Sequence, residues 1–160
     1  MAINWYNRVT DNPDDYSSLP DAVEYFENQL EEARDEIKIK GGFQRQAAEL
    51  PGIMEYRFSQ LQELDAILEY LNMKRERAHH KAFKMYLEAY SRSLTSRDAE
   101  RYANADDTVY ELSLLINQVN LLKQKFVGIT KGLESKHYQL GYLSRLKAAG
   151  LEDYIIDNGQ

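Results

Sequence analysis

The stretch Glu49–Ser91, ELPGIMEYRFSQLQELDAILEYLNMKRERAHHKAFKMYLEAYS, decides the fold. Past Gly52 it contains neither proline nor glycine, and its apolar residues recur every three or four positions. The residues that keep this spacing are Leu61, Leu64, Leu68, Leu71, Ala78, Ala82, Met85 and Ala89. The pattern predicts one long α-helix that continues through the basic run between Lys74 and Lys84.

A second long helix is predicted from Asp107 to about Ala149, with Gly150 at its end. Its apolar stripe consists of Leu112, Ile116, Val119, Leu122, Phe126, Ile129, Leu133, Leu140 and Leu143. Gly128, Gly132 and Gly141 interrupt this helix, and either close approach of another backbone or simple tolerance explains them. Between the two long helices, Thr95 and Asp98 predict a capping box for a short helix.

The chain before Leu50 divides into an arm and a helix. Residues 1–18 are predicted to form an irregular N-terminal arm with Trp5 and Tyr6 exposed, because they show no sustained period. Residues 19–42 are predicted to hold an acidic amphipathic helix from about 20 to 40, with Ser18 as its N-cap and two glycines past its end. Its apolar stripe is Val23, Phe26, Leu30, Ala33 and Ile37.

These elements predict an all-α fold: a long antiparallel helical hairpin over residues 50–150, an additional N-terminal helix, and a C-terminal tail over 151–160. Each long helix buries only one stripe against its neighbour, so further helices must cover the rest. We expect copies of the chain to supply them in a homo-oligomeric helical bundle or ring. A monomer covered by its own N-terminal helix is the alternative.

Composition limits the class of protein. The 160 residues include no cysteine, which excludes disulfides and thiolate metal ligands and suits a reducing compartment. No run of about 18 apolar residues occurs, and the first residues lack the basic start and apolar core of a signal peptide. We therefore expect a protein of the cytoplasm, the host cell's if the gene belongs to a phage, with no membrane partner.

Charge is distributed unevenly along the chain. The formal net charge is −6, but residues 1–73 carry −9 while residues 74–149 carry +6. Such asymmetry is typical of a basic surface for a polyanion, or of an acidic arm that pairs with a basic body.

The sequence contains no signature of an enzyme. The adjacent His79 and His80 point about 100° apart on a helix, so they cannot both bind one metal ion. Phosphate-binding loops, nucleophile elbows and dinucleotide fingerprints are missing from the sequence. We predict a non-enzymatic protein without cofactor or metal.

The basic run predicts a nucleic-acid contact. Lys74, Arg77, Lys81 and Lys84 step by three, four and three residues and so form one stripe, with Arg92 further along. Tyr86 and Tyr90 are expected to lie near this stripe. Cations that follow a phosphate backbone beside rings that stack on bases are what binding to a single strand requires. A solvated helix face with its aromatic residues in a helix interface is the alternative.

The sequence resembles the phage recombination mediator proteins of the UvsY type over residues 50–150. Leu50, Pro51, Ile53, Tyr56 and Phe58 match the apolar-Pro-x-apolar opening of the first long helix in that family and its downstream aromatic residue. At the end of the helix, Lys81, Lys84, Glu88, Tyr90 and Ser91 match the spaced basic residues, the acid and the Tyr-Ser pair. The chain departs from the family pattern at two places. Where the family has a further basic residue before the Tyr-Ser pair, this chain has Phe83 or Tyr86. Arg92 replaces the glycine that usually follows the serine.

The resemblance implies an accessory protein of homologous recombination that binds single-stranded DNA, assembles with itself, and helps a RecA-like recombinase replace a single-strand-binding protein. Lys74, Arg77, Lys81, Lys84 and Arg92 would bind phosphates, with Tyr86 and Tyr90 stacking on bases. Lys123, Lys125, Lys131 and Lys136 would extend the track. The alternative function is that of an acidic helical interaction protein or inhibitor, in which residues 11–36 occupy a basic partner site as a DNA mimic does.

Overall fold

The computed structural model describes residues 4–13, 15–88 and 94–150. Within these ranges the secondary structure is entirely helical, which confirms the predicted all-α class. The helices are α1 (Trp5–Thr10), α2 (Ser18–Glu36), α3 (Phe43–Glu88), α4 (Ser96–Asn104) and α5 (Asp107–Ala148).

The chain divides into two compact units, and α3 and α5 contribute to both. The first unit consists of residues 1–16 and 64–121, and the second of residues 17–63 and 122–160. Each unit therefore combines an N-terminal segment with one part of α3 and one part of α5. These units do not coincide with the predicted division into arm, acidic helix and hairpin.

The N-terminal arm contains the short helix α1, which corrects the prediction of an irregular segment at residues 5–10. Asn4 caps α1, since its side-chain oxygen accepts a hydrogen bond from the backbone N–H of Asn7 at 2.9 Å. Trp5 and Val9, one helical turn apart, are both buried. The prediction that Trp5 is exposed was wrong, because a helix of 6 residues is too short for its periodicity to stand out.

The acidic helix α2 has the predicted apolar face but ends earlier than predicted. Its buried residues are Leu19, Ala22, Val23, Phe26, Leu30 and Ala33. The N-cap is Ser17, not Ser18, and it makes no side-chain capping bond. The helix ends at Glu36, four residues short of the predicted end, and the chain turns at Gly41, whose φ of 74° favours glycine.

The long helix α3 begins before the predicted position and runs for 46 residues. Residues 43–49, which precede the predicted hairpin, form its first turns, and Pro51 lies inside it. A proline in a helix removes the N–H that would bond to the carbonyl four residues earlier, here that of Ala47. Because Ala47 is exposed, this carbonyl lies near the surface.

The connection between the long helices follows the sequence closely. Thr95 caps α4, with its Oγ1 accepting from the Asp98 N–H at 3.2 Å and its hydroxyl donating to the Asp98 carboxylate at 2.7 Å. Thr95 is therefore the predicted N-cap, but the Asp98 carboxylate accepts from the Thr95 hydroxyl instead of its backbone N–H, so the capping box forms only in part. Helix α5 begins at Asp107, as predicted, and ends at Ala148.

The predicted apolar stripes form the cores of the units. The first unit buries Leu64, Ile67, Leu68, Leu71 and Ala82 of α3 with Val109, Leu112 and Val119 of α5. The second buries Leu50 and Leu61 of α3 with Leu122, Phe126, Ile129, Leu133 and Leu140 of α5. Met85 belongs to the predicted α3 stripe but is exposed, and Ala89 lies outside the described residues.

The two long helices run antiparallel in the second unit. Leu50 of α3 lines a cavity together with Leu140 of α5, and Phe58 lines another with Leu133. Rising numbers along α3 therefore meet falling numbers along α5, as in the predicted hairpin.

Two glycines of α5 differ in what surrounds them, and this gives a matched prediction. A Cβ at Gly128 would meet nothing within 4 Å, whereas a Cβ at Gly132 would lie 2.7 Å from Cδ1 of Ile37. We expect Gly128→Ala to raise the free energy of unfolding by about 0.5–1 kcal/mol through helix propensity. Gly132→Ala should lose this gain because Ile37 must move. Urea denaturation measures both, and equal gains would contradict the close packing of Ile37.

Candidate nucleic-acid interface

A groove of about 480 Å³ in the first unit contains three of the predicted phosphate-binding residues. We call it the basic groove. Helix α3 lines it through residues one turn apart on one face, α5 through its first two turns, and the segment after α1 completes it. The lining residues are Pro13, Tyr16, Lys74, Arg77, Ala78, Lys81, Thr108 and Leu112.

The cations of the basic groove are accessible. Arg77 and Lys81 are exposed, and neither forms an ion pair with any residue that the structure describes. Lys74 is half-buried, with its ammonium 5.5 Å from the centroid of the Tyr70 ring. None of the lining residues is acidic. The groove therefore offers positive charge that no lining carboxylate neutralises.

Lys84 continues the stripe one turn beyond Lys81. Its ammonium lies 3.9 Å from the carboxylate of Glu88, and both side chains are well exposed. An exposed pair on one helix contributes little energy and rearranges easily, so Lys84 remains able to contact a phosphate.

Tyr86 does not lie beside the basic stripe, which corrects the sequence prediction. The five residues from Lys81 to Tyr86 turn the side chain by about 140° around α3. The ring of Tyr86 instead stacks on Tyr102 of α4, with centroids 5.4 Å apart and planes at 30°. Tyr16, which sequence reasoning missed, is the aromatic residue of the basic groove.

Two other predicted contacts cannot be placed. Tyr90 and Arg92 lie outside the described residues.

The predicted extension along α5 does not form one track. The prediction that Lys136 belongs to this track is wrong, because its side chain is only 6% exposed. Its ammonium donates to the backbone carbonyls of Glu36 at 2.7 Å and Lys38 at 3.0 Å. Burial lowers the pKa of Lys136, while the carboxylates of Glu36 and Glu49 oppose the shift.

The remaining lysines of the extension point in different directions. Lys123 is half-buried and Lys125 is exposed, and two residues of helix set their side chains about 160° apart. Lys131 is exposed on a third side of α5. All three lysines belong to the second unit. Each remains a candidate for a phosphate contact by itself, but together they do not form one continuous row.

His79 lies on the flank of α3 opposite the basic stripe. His79 Nε2 lies 3.3 Å from a carboxylate oxygen of Glu100 in α4, at a cavity of about 280 Å³. The rings of His79 and His80 are 6.1 Å apart and inclined at 63°. Among the described residues, no group of three or more histidine and acidic side chains could hold a metal ion. On this flank, α4 packs against α3.

Sequence reasoning also missed a buried polar cluster in the second unit. Arg57, which is 1% exposed, donates to both carboxylate oxygens of Glu36, at 2.7 and 2.8 Å. It also donates to Gln29 and Gln60, at 2.8 and 2.9 Å. Burial opposes the charge of Arg57, but the hydrogen bonds and attraction of Glu36 outweigh it and raise the pKa of the guanidinium.

The position of Arg57 in the sequence contains the signal for its burial. It precedes Leu61 by four residues and Leu64 by seven, so it falls on the apolar stripe of α3. Lys136 likewise lies between Leu133 and Leu140 on the stripe of α5. A cation in such a register is expected to face the core and to require a partner there.

Comparison of the chain with protein-family models, with curated proteins and with solved structures finds no match. In the part of the chain that the structure describes, no helix combines the length and the apolar character needed to cross a membrane.

The chemistry available in the basic groove is that of polyanion binding. Three cations one turn apart present donors along a line, and Tyr16 supplies an aromatic ring within the same groove. Cations in a row contact successive phosphates, whereas rings accept any base.

Proposed function

We propose that the chain is a non-enzymatic accessory protein of phage homologous recombination that binds single-stranded DNA in the basic groove. It would help a RecA-like recombinase replace a single-strand-binding protein on that strand. The observation that carries this proposal is the set of accessible cations, with no lining carboxylate, beside Tyr16. The roles of the recombinase and of the single-strand-binding protein rest on the resemblance to UvsY-type mediators.

Self-association belongs to the proposal, because three or four cations give one protomer only modest affinity. Linked copies of such a site bind one strand far more tightly than a single copy does. Support comes from an exposed apolar stripe on α5 in the first unit, formed by Tyr110, Leu114 and Leu121. It lies opposite the buried Leu112 and Val119, and residues 112–122 contain no charged side chain.

The decisive change is the removal of two groove cations. We expect Arg77→Ala combined with Lys81→Ala to weaken binding of a short single strand about tenfold or more at low salt. The slope of log affinity against log salt concentration should become less negative by about 1.4, because each lost phosphate contact contributes about 0.7. Fluorescence anisotropy measures both quantities, and circular dichroism checks that helicity is retained.

The matched control is Arg97→Ala combined with Arg101→Ala. These exposed arginines of α4 belong to the same unit, do not line the groove, and carry the same charge. The control should keep most of the salt dependence. If both double variants lost affinity and slope equally, binding would reflect overall charge and the proposed site would be wrong.

The second candidate function, an acidic interaction protein or inhibitor, has a narrower basis than the sequence implied. Four acids of α2 are held in ion pairs: Glu31 with Arg34, Asp35 with Lys38 and Lys40, and Glu32 and Glu36 with Arg57. What favours this candidate is the first half of α2, where Asp21, Glu24 and Glu27 are exposed and form no ion pair with any described residue.

A charge-neutral variant separates the two functions. Deleting residues 1–42 would remove buried residues such as Trp5 and Phe26, so it would unfold the protein rather than test a surface. Glu24→Gln with Glu27→Gln keeps the side-chain size instead. If this variant binds DNA as tightly as the unchanged protein or more tightly, the result agrees with the proposal. If neither protein binds DNA and the variant no longer binds a basic protein partner, the result favours the function of an acidic inhibitor.

A further inference from the structure

The second unit contains a groove of about 540 Å³ between the first turns of α3 and the last turns of α5. We call it the terminal groove. It has an apolar floor and an aromatic rim, and no acidic side chain lines it. Its lining residues are Phe43, Ala47, Leu50, His137, Tyr138, Leu140, Gly141, Tyr142, Ser144 and Arg145.

Two tyrosines of α5 expose their rings at this groove. Tyr138 is 76% exposed and Tyr142 is 62% exposed, more than any other large apolar or aromatic side chain that the structure describes. They lie one helical turn apart and therefore on one face of α5. Nothing lies within 4 Å of the position that a Cβ would take at Gly141, so the space beside the rings is open.

The charges around the terminal groove favour an anionic ligand. Arg145 follows Tyr142 by three residues, lines the same groove and is exposed. Helix α3 begins at Phe43 with no acidic residue in its first turn, so the positive end of its dipole lies at the groove. The negative end of the α5 dipole is offset by Arg145 and Lys147 in its last turn.

We propose that the terminal groove is a second contact for a single nucleic-acid strand, where unstacked bases lie on the rings of Tyr138 and Tyr142 and Arg145 binds an adjacent phosphate. This inference rests on the proposed function, since it gives the same ligand a second site. Stacking on exposed rings adds affinity at each base and tolerates any sequence. The basic groove supplies mainly charge, and the terminal groove supplies mainly stacking.

This division of labour gives the two grooves different signatures. Because stacking releases no counterions, Tyr138→Ala combined with Tyr142→Ala should lower affinity about thirtyfold or more while leaving the salt slope unchanged. The matching pair Tyr138→Phe and Tyr142→Phe keeps the rings and should keep the affinity. Since both rings are exposed, neither pair should change the far-ultraviolet circular dichroism spectrum or the thermal midpoint.

The control is Phe58→Ala, which removes a ring of α3 that is 55% exposed in the same unit but lies outside the terminal groove. It should bind oligothymidine as the unchanged protein does. On irradiation, a strand that contains 5-iododeoxyuridine should become crosslinked to the peptide that contains Tyr138 and Tyr142.

The outcomes separate this inference from the proposed function. If the unchanged protein binds no single strand, both fall. If the Arg77 and Lys81 variant loses affinity but the alanine pair at Tyr138 and Tyr142 does not, the proposed function stands and the terminal groove is no strand contact. If the phenylalanine pair loses as much affinity as the alanine pair, stacking is refuted. Loss of a protein partner with unchanged strand binding would instead assign the groove to protein docking.

Discussion

Glu36→Ala is expected to lower the free energy of unfolding by about 3 kcal/mol or more, because it leaves the guanidinium of Arg57 buried without its main partner. Both carboxylate oxygens of Glu36 accept hydrogen bonds from Arg57, at 2.7 and 2.8 Å. Glu32 lies further away, at 3.7 Å, and its side chain is mostly exposed, so it replaces little of the lost attraction. Urea denaturation at neutral pH measures the change.

Arg57→Met is the control for this prediction. It removes the buried charge itself and fills the space with an apolar side chain, while the carboxylate of Glu36 is partly exposed and can be hydrated. We expect a loss less than half that of Glu36→Ala. Equal losses in the two variants would mean that packing around the side chains, rather than an uncompensated charge, sets the stability of this cluster.

Phe26→Ala should cost about 3–5 kcal/mol of unfolding free energy, since it empties a fully buried site. The Phe26 ring meets Phe126 of α5 edge to face, with centroids 6.0 Å apart and planes at 90°. Its loss removes this ring contact between α2 and α5. Thermal and urea denaturation should both show the change.

The same substitution at an exposed position provides the comparison. Phe58→Ala removes an identical side chain from α3, where the ring is 55% exposed, and should change the free energy of unfolding by less than about 1 kcal/mol. If Phe58→Ala lowered the free energy of unfolding as much as Phe26→Ala does, the ring of Phe58 would be buried in solution, which contradicts its exposure in the structure.

Periodicity was sufficient to predict the long helices. The apolar spacing around Leu64 and around Leu122 places the cores of both units, and the N-cap at Thr95 marks the start of α4. These signals are local, so no knowledge of tertiary contacts is needed to interpret them.

Helix boundaries were harder to predict, because tertiary contacts override local punctuation. Pro51 lies near the start of the helix that the sequence predicts, yet α3 begins eight residues before the proline. Helix α2 ends at Glu36, where the ammonium of Lys136 binds the backbone carbonyl. That contact joins residues 100 positions apart, and the sequence of α2 alone carries no sign of it.

The candidate site was predicted in part. The three- and four-residue steps from Lys74 to Lys81 correctly place these cations on one face of α3. The ring beside them could not be found from nearby sequence, because Tyr16 reaches the groove from the segment that follows α1. Tyr86 is close to Lys81 in the sequence but not on the helix surface, so proximity in sequence alone does not place its ring beside the cations.

The central claim is that the basic groove binds the phosphates of a single strand, and the salt dependence of binding by the unchanged protein tests it most directly. With three or four phosphate contacts for each protomer, log affinity should fall against log salt concentration with a slope of about −2 to −3 per protomer. Oligothymidine binding that is undetectable at low salt, or that does not change as salt is raised, would contradict the claim.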